Sequence, residues 1–75
     1  ASVDHDCTVA DGAHIAPGAI LCGTVMVGAR TFVGAGSTVI ENLTIGEDSI
    51  IGAGATVIRD LPSRVTAVGS PARSI

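Results

Sequence analysis

An aliphatic residue stands at every sixth position from Val3 to Val57: Val3, Val9, Ile15, Leu21, Val27, Val33, Val39, Ile45, Ile51 and Val57. All ten are Val, Ile or Leu, and the series has no skip. A helix would repeat its apolar face at three and four, and a half-buried strand at two. A fixed period of six marks a stacked repeat instead. Two other columns agree. Three residues after each aliphatic stand Asp6, Gly12, Gly18, Thr24, Arg30, Gly36, Asn42, Asp48 and Gly54, and seven of these nine are Gly, Asn or Asp. Those residues tolerate a left-handed backbone, so this column is a turn. Four residues after each aliphatic stand Cys7, Ala13, Ala19, Val25, Thr31, Ser37, Leu43, Ser49 and Ala55. Most are small, as a second inward position beside a corner requires. Each hexad reads as a short strand, an inward aliphatic and a tight bend.

Short parallel strands with regular bends stack into a β-helix, each rung pairing with the next at about 4.8 Å. The fold class is therefore all-β. Three hexads per coil make a triangular prism of about 18 residues per turn, so residues 1–58 hold about three coils, roughly 15 Å tall. The period does not set the hand of the coil. The pattern stops after Val57, since position 63 is Ser63, and Arg59-Asp60-Leu61-Pro62-Ser63 reads as an exit loop. Residues 59–75 are then loop and tail, with a strand-like start broken at Gly69-Ser70-Pro71. The prism's open ends expose apolar rungs and unpaired backbone edges. Three coils enclose only a thin core, which predicts a homo-oligomer whose faces bury against one another.

Composition narrows the function. With 75 residues there is room for one core, and 47% hydrophobic against 15% charged residues excludes a disordered chain. Phe32 is the one aromatic residue, which removes the stacking platform of a single-strand nucleic-acid binder. Seven acids against four Arg give a net charge of −3, the wrong sign for a phosphate-backbone partner. No apolar run approaches the roughly 18 residues of a membrane span. Cys7 and Cys22 form neither a CxxC motif nor a Cys/His cluster, so they read as small buried residues, compatible with a reducing, cytoplasmic setting.

Two histidines carry the candidate chemistry. His5 lies at a corner, in Val3-Asp4-His5-Asp6, and points outward between carboxylates that raise its basicity. It is either a general base or a solvated corner histidine. Asp6 would tune it, or simply suits the turn column, and Asp4 competes as its partner. His14 directly precedes the inward Ile15 and points out from a flat face. Its column continues with Phe32 and Ile50, an outward stripe suited to a subunit contact. His5 and His14 are nine residues apart, half a coil, and so lie on opposite sides of the prism. They share a site only if His5 of one copy faces His14 of a neighbour. The corner columns are His5, Gly23 and Glu41; Asp11, Ala29 and Glu47; and Pro17, Ala35 and Ala53. The last is smooth enough for an extended ligand to lie along the backbone, although small residues also suit tight corners. Arg59, Arg64 and Arg73, three of the four Arg, fall near the end, either to meet ligand phosphates or as a solvated tail.

The repeat aliphatic-Gly-x-x-x-x resembles that of the hexapeptide-repeat acyltransferases over nearly the whole chain. Val3-Asp4-His5-Asp6-Cys7, followed by His14-Ile15-Ala16-Pro17, is similar to the sialic acid O-acetyltransferase and UDP-4-amino-sugar N-acetyltransferase family. The ending Ala67-Val68-Gly69-Ser70-Pro71-Ala72-Arg73 resembles the tails of that family and of serine acetyltransferases, with Ser70 where Asn is frequent. The resemblance implies a left-handed parallel β-helix, a homotrimer, and acyl-CoA sites between subunits. It implies that His5 takes a proton from a sugar amine or hydroxyl, with Asp6 tuning it. It implies that His14 bonds the thioester carbonyl of acetyl-CoA, and that the backbone at Gly23, Ala35 and Ala53 touches the pantetheine arm. It implies no metal. The family's N-terminal acceptor-binding domain has no counterpart in these residues, so the chain is expected to be the β-helix portion alone. A non-catalytic trimerising stub is the alternative, as is a serine-acetyltransferase-like enzyme. A zinc carbonic anhydrase on this fold would need three histidines, and the chain has two. An ice-binding β-helix would need aligned outward Thr ranks, which Thr8, Thr24, Thr31, Thr38, Thr44, Thr56 and Thr66 do not form.

Overall fold

Each hexad folds as a strand of two residues, the first side chain outward and the second inward, followed by a four-residue corner. The computed structural model describes residues 2–3 and 6–75, so the expectations for Asp4 and His5 lie outside the described residues. In chain order the strands are β1 (Ser2–Val3), β2 (Thr8–Val9), β3 (His14–Ile15), β4 (Ile20–Leu21), β5 (Met26–Val27) and β6 (Phe32–Val33). They continue as β7 (Thr38–Val39), β8 (Thr44–Ile45), β9 (Ile50–Ile51), β10 (Thr56–Val57), β11 (Thr66–Val68) and β12 (Arg73–Ser74). They form three flat faces, ordered β1-β4-β7-β10, β2-β5-β8 and β12-β11-β9-β6-β3. Pairing between coils is parallel with an offset of 18, as in His14 with Phe32 and Phe32 with Ile50. The all-β, parallel β-helix of about three coils expected from the period is the architecture found.

The turn column behaves as one. Asp6, Gly12, Gly18, Thr24, Arg30, Gly36, Asn42, Asp48 and Gly54 all have φ between 54° and 78°. Thr24 and Arg30, which do not match the column by type, adopt the same backbone. Inside, Leu21, Val27, Val33, Val39, Ile45, Ile51 and Val57 are buried. Val3 and Val9 belong to the same inward column yet are 45% and 40% exposed, for among the described residues they pair with a rung on one side only. The second inward column is satisfied as well as buried. Thr31 Oγ1 donates to the Gly46 carbonyl at 2.7 Å and Ser37 Oγ to the Gly52 carbonyl at 2.8 Å. The Cys7 thiol, half-buried rather than fully enclosed, donates to the Cys22 carbonyl at 3.0 Å. Each of these side chains bonds the corner of the coil below. The glycine that follows the inward aliphatic serves close approach. At Gly28 an added Cβ would lie 2.4 Å from the Glu47 nitrogen, in the backbone of the next corner.

The prism does not end where the period does. Leu61 follows Val57 by four residues, is only 7% exposed, and bridges Ile45 in parallel. Six residues later the buried Ala67 pairs with Ile51 in β9. Two residues are missing from one corner, so Leu61 takes the inward place that position 63 would hold. The stretch read as an exit loop is therefore a shortened hexad. Ser49 records the same deletion, for its hydroxyl donates to Pro62, 13 residues on, where Thr31 and Ser37 reach 15. The chain then turns at Gly69, and β12 pairs antiparallel with β11, covering that edge of the face. No described helix is long and apolar enough to cross a membrane.

Candidate functional site

The three corners of the prism differ sharply. The first carries the turn residues Asp6, Thr24 and Asn42, the second Gly12, Arg30, Asp48 and Arg64, and the third Gly18, Gly36 and Gly54. A left-handed turn is met by Asp, Thr, Asn or Arg at the other two corners, so φ alone does not require glycine three times at the third. What the glycines do there is leave the surface bare, for a Cβ on Gly36 or Gly54 would meet nothing within 4 Å. Beside them Pro17, Ala35 and Ala53 are exposed. The corner is held by its own backbone: Gly36 N–H donates to the Pro17 carbonyl at 3.3 Å and Gly54 N–H to the Ala35 carbonyl at 2.8 Å. The result is a straight track of exposed main chain and methyl groups along the prism.

His14 stands beside this track, outward on β3, as its place before Ile15 predicts. Its backbone N–H donates to the Thr31 carbonyl at 2.9 Å. Its ring lies on Phe32, with centroids 5.2 Å apart and planes within 4°. His14, Ala35 and Ala53 thus fall along one edge of the chain. Gly23 does not join them. It is half-buried at the first corner, its carbonyl accepting the Asn42 N–H at 3.0 Å, on the edge that also carries Asp6. The predicted site residues that are described fall on two edges of one prism, and His5, on which the spacing argument rests, lies outside the described residues.

The second corner holds a charge ladder that the sequence reading did not pick out. Arg30 binds Asp48 through two parallel bonds, Nε to Oδ1 at 2.8 Å and Nη2 to Oδ2 at 2.9 Å. Arg30 and Arg64 each approach Glu47 at 3.9 Å. The hydrogen bonds from Arg30 hold the Asp48 carboxyl below the usual carboxylate range, and Asp48 in turn raises the Arg30 guanidinium. The offset of 18 between Arg30 and Asp48 was the available signal. Arg64 joins the ladder only through its approach to Glu47. Arg59 and Arg73 instead line a cleft of about 470 Å³ at the C-terminal end, floored by Leu61 and Ala72. Neither makes an ion pair with a described residue. The Asp60 carboxylate in the same cleft is engaged, with Oδ1 accepting the Thr44 N–H at 2.8 Å. No group of three or more His, Cys, Asp or Glu that could hold a metal ion occurs among the described residues.

Residues 24–59 match the family model described as bacterial transferase hexapeptide (six repeats). The matched residues lie within the hexapeptide-repeat β-helix described above. A mutant perosamine N-acetyltransferase from Caulobacter crescentus, solved with CoA and GDP-perosamine, is 47% identical with a TM-score of 0.93 over 93% of this chain and 33% of that one. The acetyltransferase domain of PglB from Neisseria gonorrhoeae is 36% identical with a TM-score of 0.95, over 96% of this chain and 35% of that one. Serine acetyltransferase from Brucella abortus in complex with coenzyme A is 32% identical with a TM-score of 0.93, over 97% of this chain and 32% of that one. A search of curated proteins gave no match. This hexapeptide-repeat chain spans about a third of the length of these structures.

Proposed function

We propose that the chain is the donor-binding and transfer portion of an acetyl-CoA-dependent sugar or nucleotide-sugar acetyltransferase, acting in the cytoplasm as a homotrimer with its sites between copies. The observation that carries this reading is the bare glycine and alanine track beside an exposed histidine. An extended chain such as pantetheine needs a long smooth surface with backbone polar groups within reach. Ala35 and Ala53 lie along it. The copy next to it would contribute Gly23, Asp6 and His5 from its first corner. Arg59 and Arg73, both without an ion-pair partner among the described residues, suit the donor's phosphates. Similarity at 47% to a sugar N-acetyltransferase, against 32% to a serine acetyltransferase, favours a sugar acceptor.

In this reading the acceptor amine or hydroxyl attacks the thioester carbonyl while His5 takes its proton. Asp6 stabilises the imidazolium. His14 donates a hydrogen bond to the carbonyl oxygen as it becomes an oxyanion. Collapse breaks the C–S bond, and the proton on His5 passes to the departing thiolate. No acyl-enzyme forms, and Cys7 points inward, away from any acceptor. The test is equilibrium binding of acetyl-CoA to the chain beside His14→Ala. Saturable binding that weakens in the variant supports the donor site. Absence of binding by a folded trimer would assign the chain a structural, trimerising role instead.

A further inference from the structure

We propose that Phe32 is a positioning residue for His14, a platform that sets the plane in which the imidazole meets an acyl donor. The proposal rests on the reading of His14 as the donor contact. Phe32 is the one aromatic residue of the chain, and it falls in direct register beneath one of only two histidines. The rings are parallel to within 4°, at a centroid distance inside the range for offset stacking. The slot itself does not demand a ring. The next rungs of the same outward column are Ile50 and Thr66, paired in the same register. Nor is Phe32 needed for the core, since it points outward and is 41% exposed.

His14 needs such a support. It is exposed, and its side chain makes no hydrogen bond or ion pair with a described residue. The terminal torsion of a histidine is broad, so the chain alone does not fix the plane of the ring. A stacked ring removes that freedom by confining the imidazole to planes parallel to its own. Acyl transfer depends on donors held in place before charge develops, which makes the orientation of this group matter for function.

The experiment combines ring spectroscopy with a binding cycle on the intact chain. Phe32→Ile copies the residue of the next rung, and Phe32→Leu replaces it if that variant does not fold. Phe32→Tyr retains the platform. The parent is expected to show cross-relaxation between His14 and Phe32 ring protons and ring-current-shifted His14 resonances. Both should vanish in Phe32→Ile and persist in Phe32→Tyr. Acetyl-CoA affinity should fall about three- to tenfold in Phe32→Ile and be retained in Phe32→Tyr. In a His14→Ala background Phe32→Ile should cost nothing further, since it acts only through the imidazole. Equal losses in both backgrounds would overturn the proposal, because Phe32 would then touch the ligand or support the fold directly. Unmoved His14 resonances in Phe32→Ile would overturn the platform itself. Parent-like binding by His14→Ala would instead overturn the donor-contact reading and with it any role for the platform in transfer.

Discussion

Thr24 is the residue least suited to its own backbone. It is β-branched and exposed, yet holds φ at 61°. A left-handed conformation costs an ordinary L-residue about 1–2 kcal/mol, and less for Asn, whose short side chain tolerates it. The same corner carries Asp6 in the coil above and Asn42 in the coil below, both left-handed. Thr24→Asn should therefore raise stability by about 1 kcal/mol, read as a higher urea midpoint at unchanged slope. Asp48 gives a second prediction at this scale. Hydrogen bonding and charge attraction from Arg30 lower its folded pKa below the unfolded value. A depressed carboxylate contributes stability that is present above the unfolded pKa, about 4, and is lost as pH falls through the folded one. The pair is exposed, so the effect is small and screened by salt. Asp48→Asn keeps a residue fit for φ 54° while removing the charge. Below pH 4 its unfolding midpoint should fall less steeply with acidification than that of the parent, and the difference should shrink in high salt.

At the scale of the element, two-residue strands have no stability of their own, and each depends on the rungs above and below. The position of a rung should therefore decide the cost of truncating it. Leu61 is 7% exposed and Val9, from the open first coil, is 40% exposed. Leu61→Ala should cost about 2–4 kcal/mol and Val9→Ala under about 1 kcal/mol, measured by chemical denaturation. Equal costs would mean that Leu61 is not a core rung. This contrast also marks the limit of what the repeat discloses. The period of six gives the faces, the inward column and the left-handed corners, because each hexad repeats the same sterics. It does not give Leu61, because a two-residue deletion puts an aliphatic out of phase, where it reads as loop. The second inward column looked merely small, while in the fold its hydroxyls and thiol bridge successive coils. At the candidate site, the outward place of His14 was legible from its position before the inward Ile15. The all-glycine third corner was legible too, in Gly18, Gly36 and Gly54, but its meaning came only from Asp, Thr, Asn and Arg making the same turn at the other corners.

The whole molecule is a prism of 29 × 20 × 20 Å whose inward columns are already full. Large apolar side chains nevertheless stand outside. Phe32 and Ile50 share one face, Ile20 and Met26 lie on the others, and Ile40 and Ile58 ridge the first corner, all of them exposed. Phe32 and Ile50, neighbours on one face, suit a contact surface. If the face of one copy that bears His14, Phe32 and Ile50 meets the first corner of the next, the contact joins two different surfaces. Such a head-to-tail contact must close into a ring or continue as a filament. In the proposed homotrimer three copies would close it into a ring. Each junction of that trimer would bring His14 and the glycine track of one copy against Gly23 and Asp6 of its neighbour, so association and donor binding would be one property. Ile50→Glu tests this. Ile50 is 49% exposed and supports no core contact, so the coil should still form, with a parent-like circular dichroism spectrum. A carboxylate buried without a partner costs several kcal/mol, enough to dissociate a trimer at micromolar concentration. Sedimentation equilibrium should find trimers for the parent and monomers for the variant, and acetyl-CoA binding should be lost with the trimer. A variant that stays trimeric and binds as the parent does would move the interface off this face and separate the histidine from any composite site.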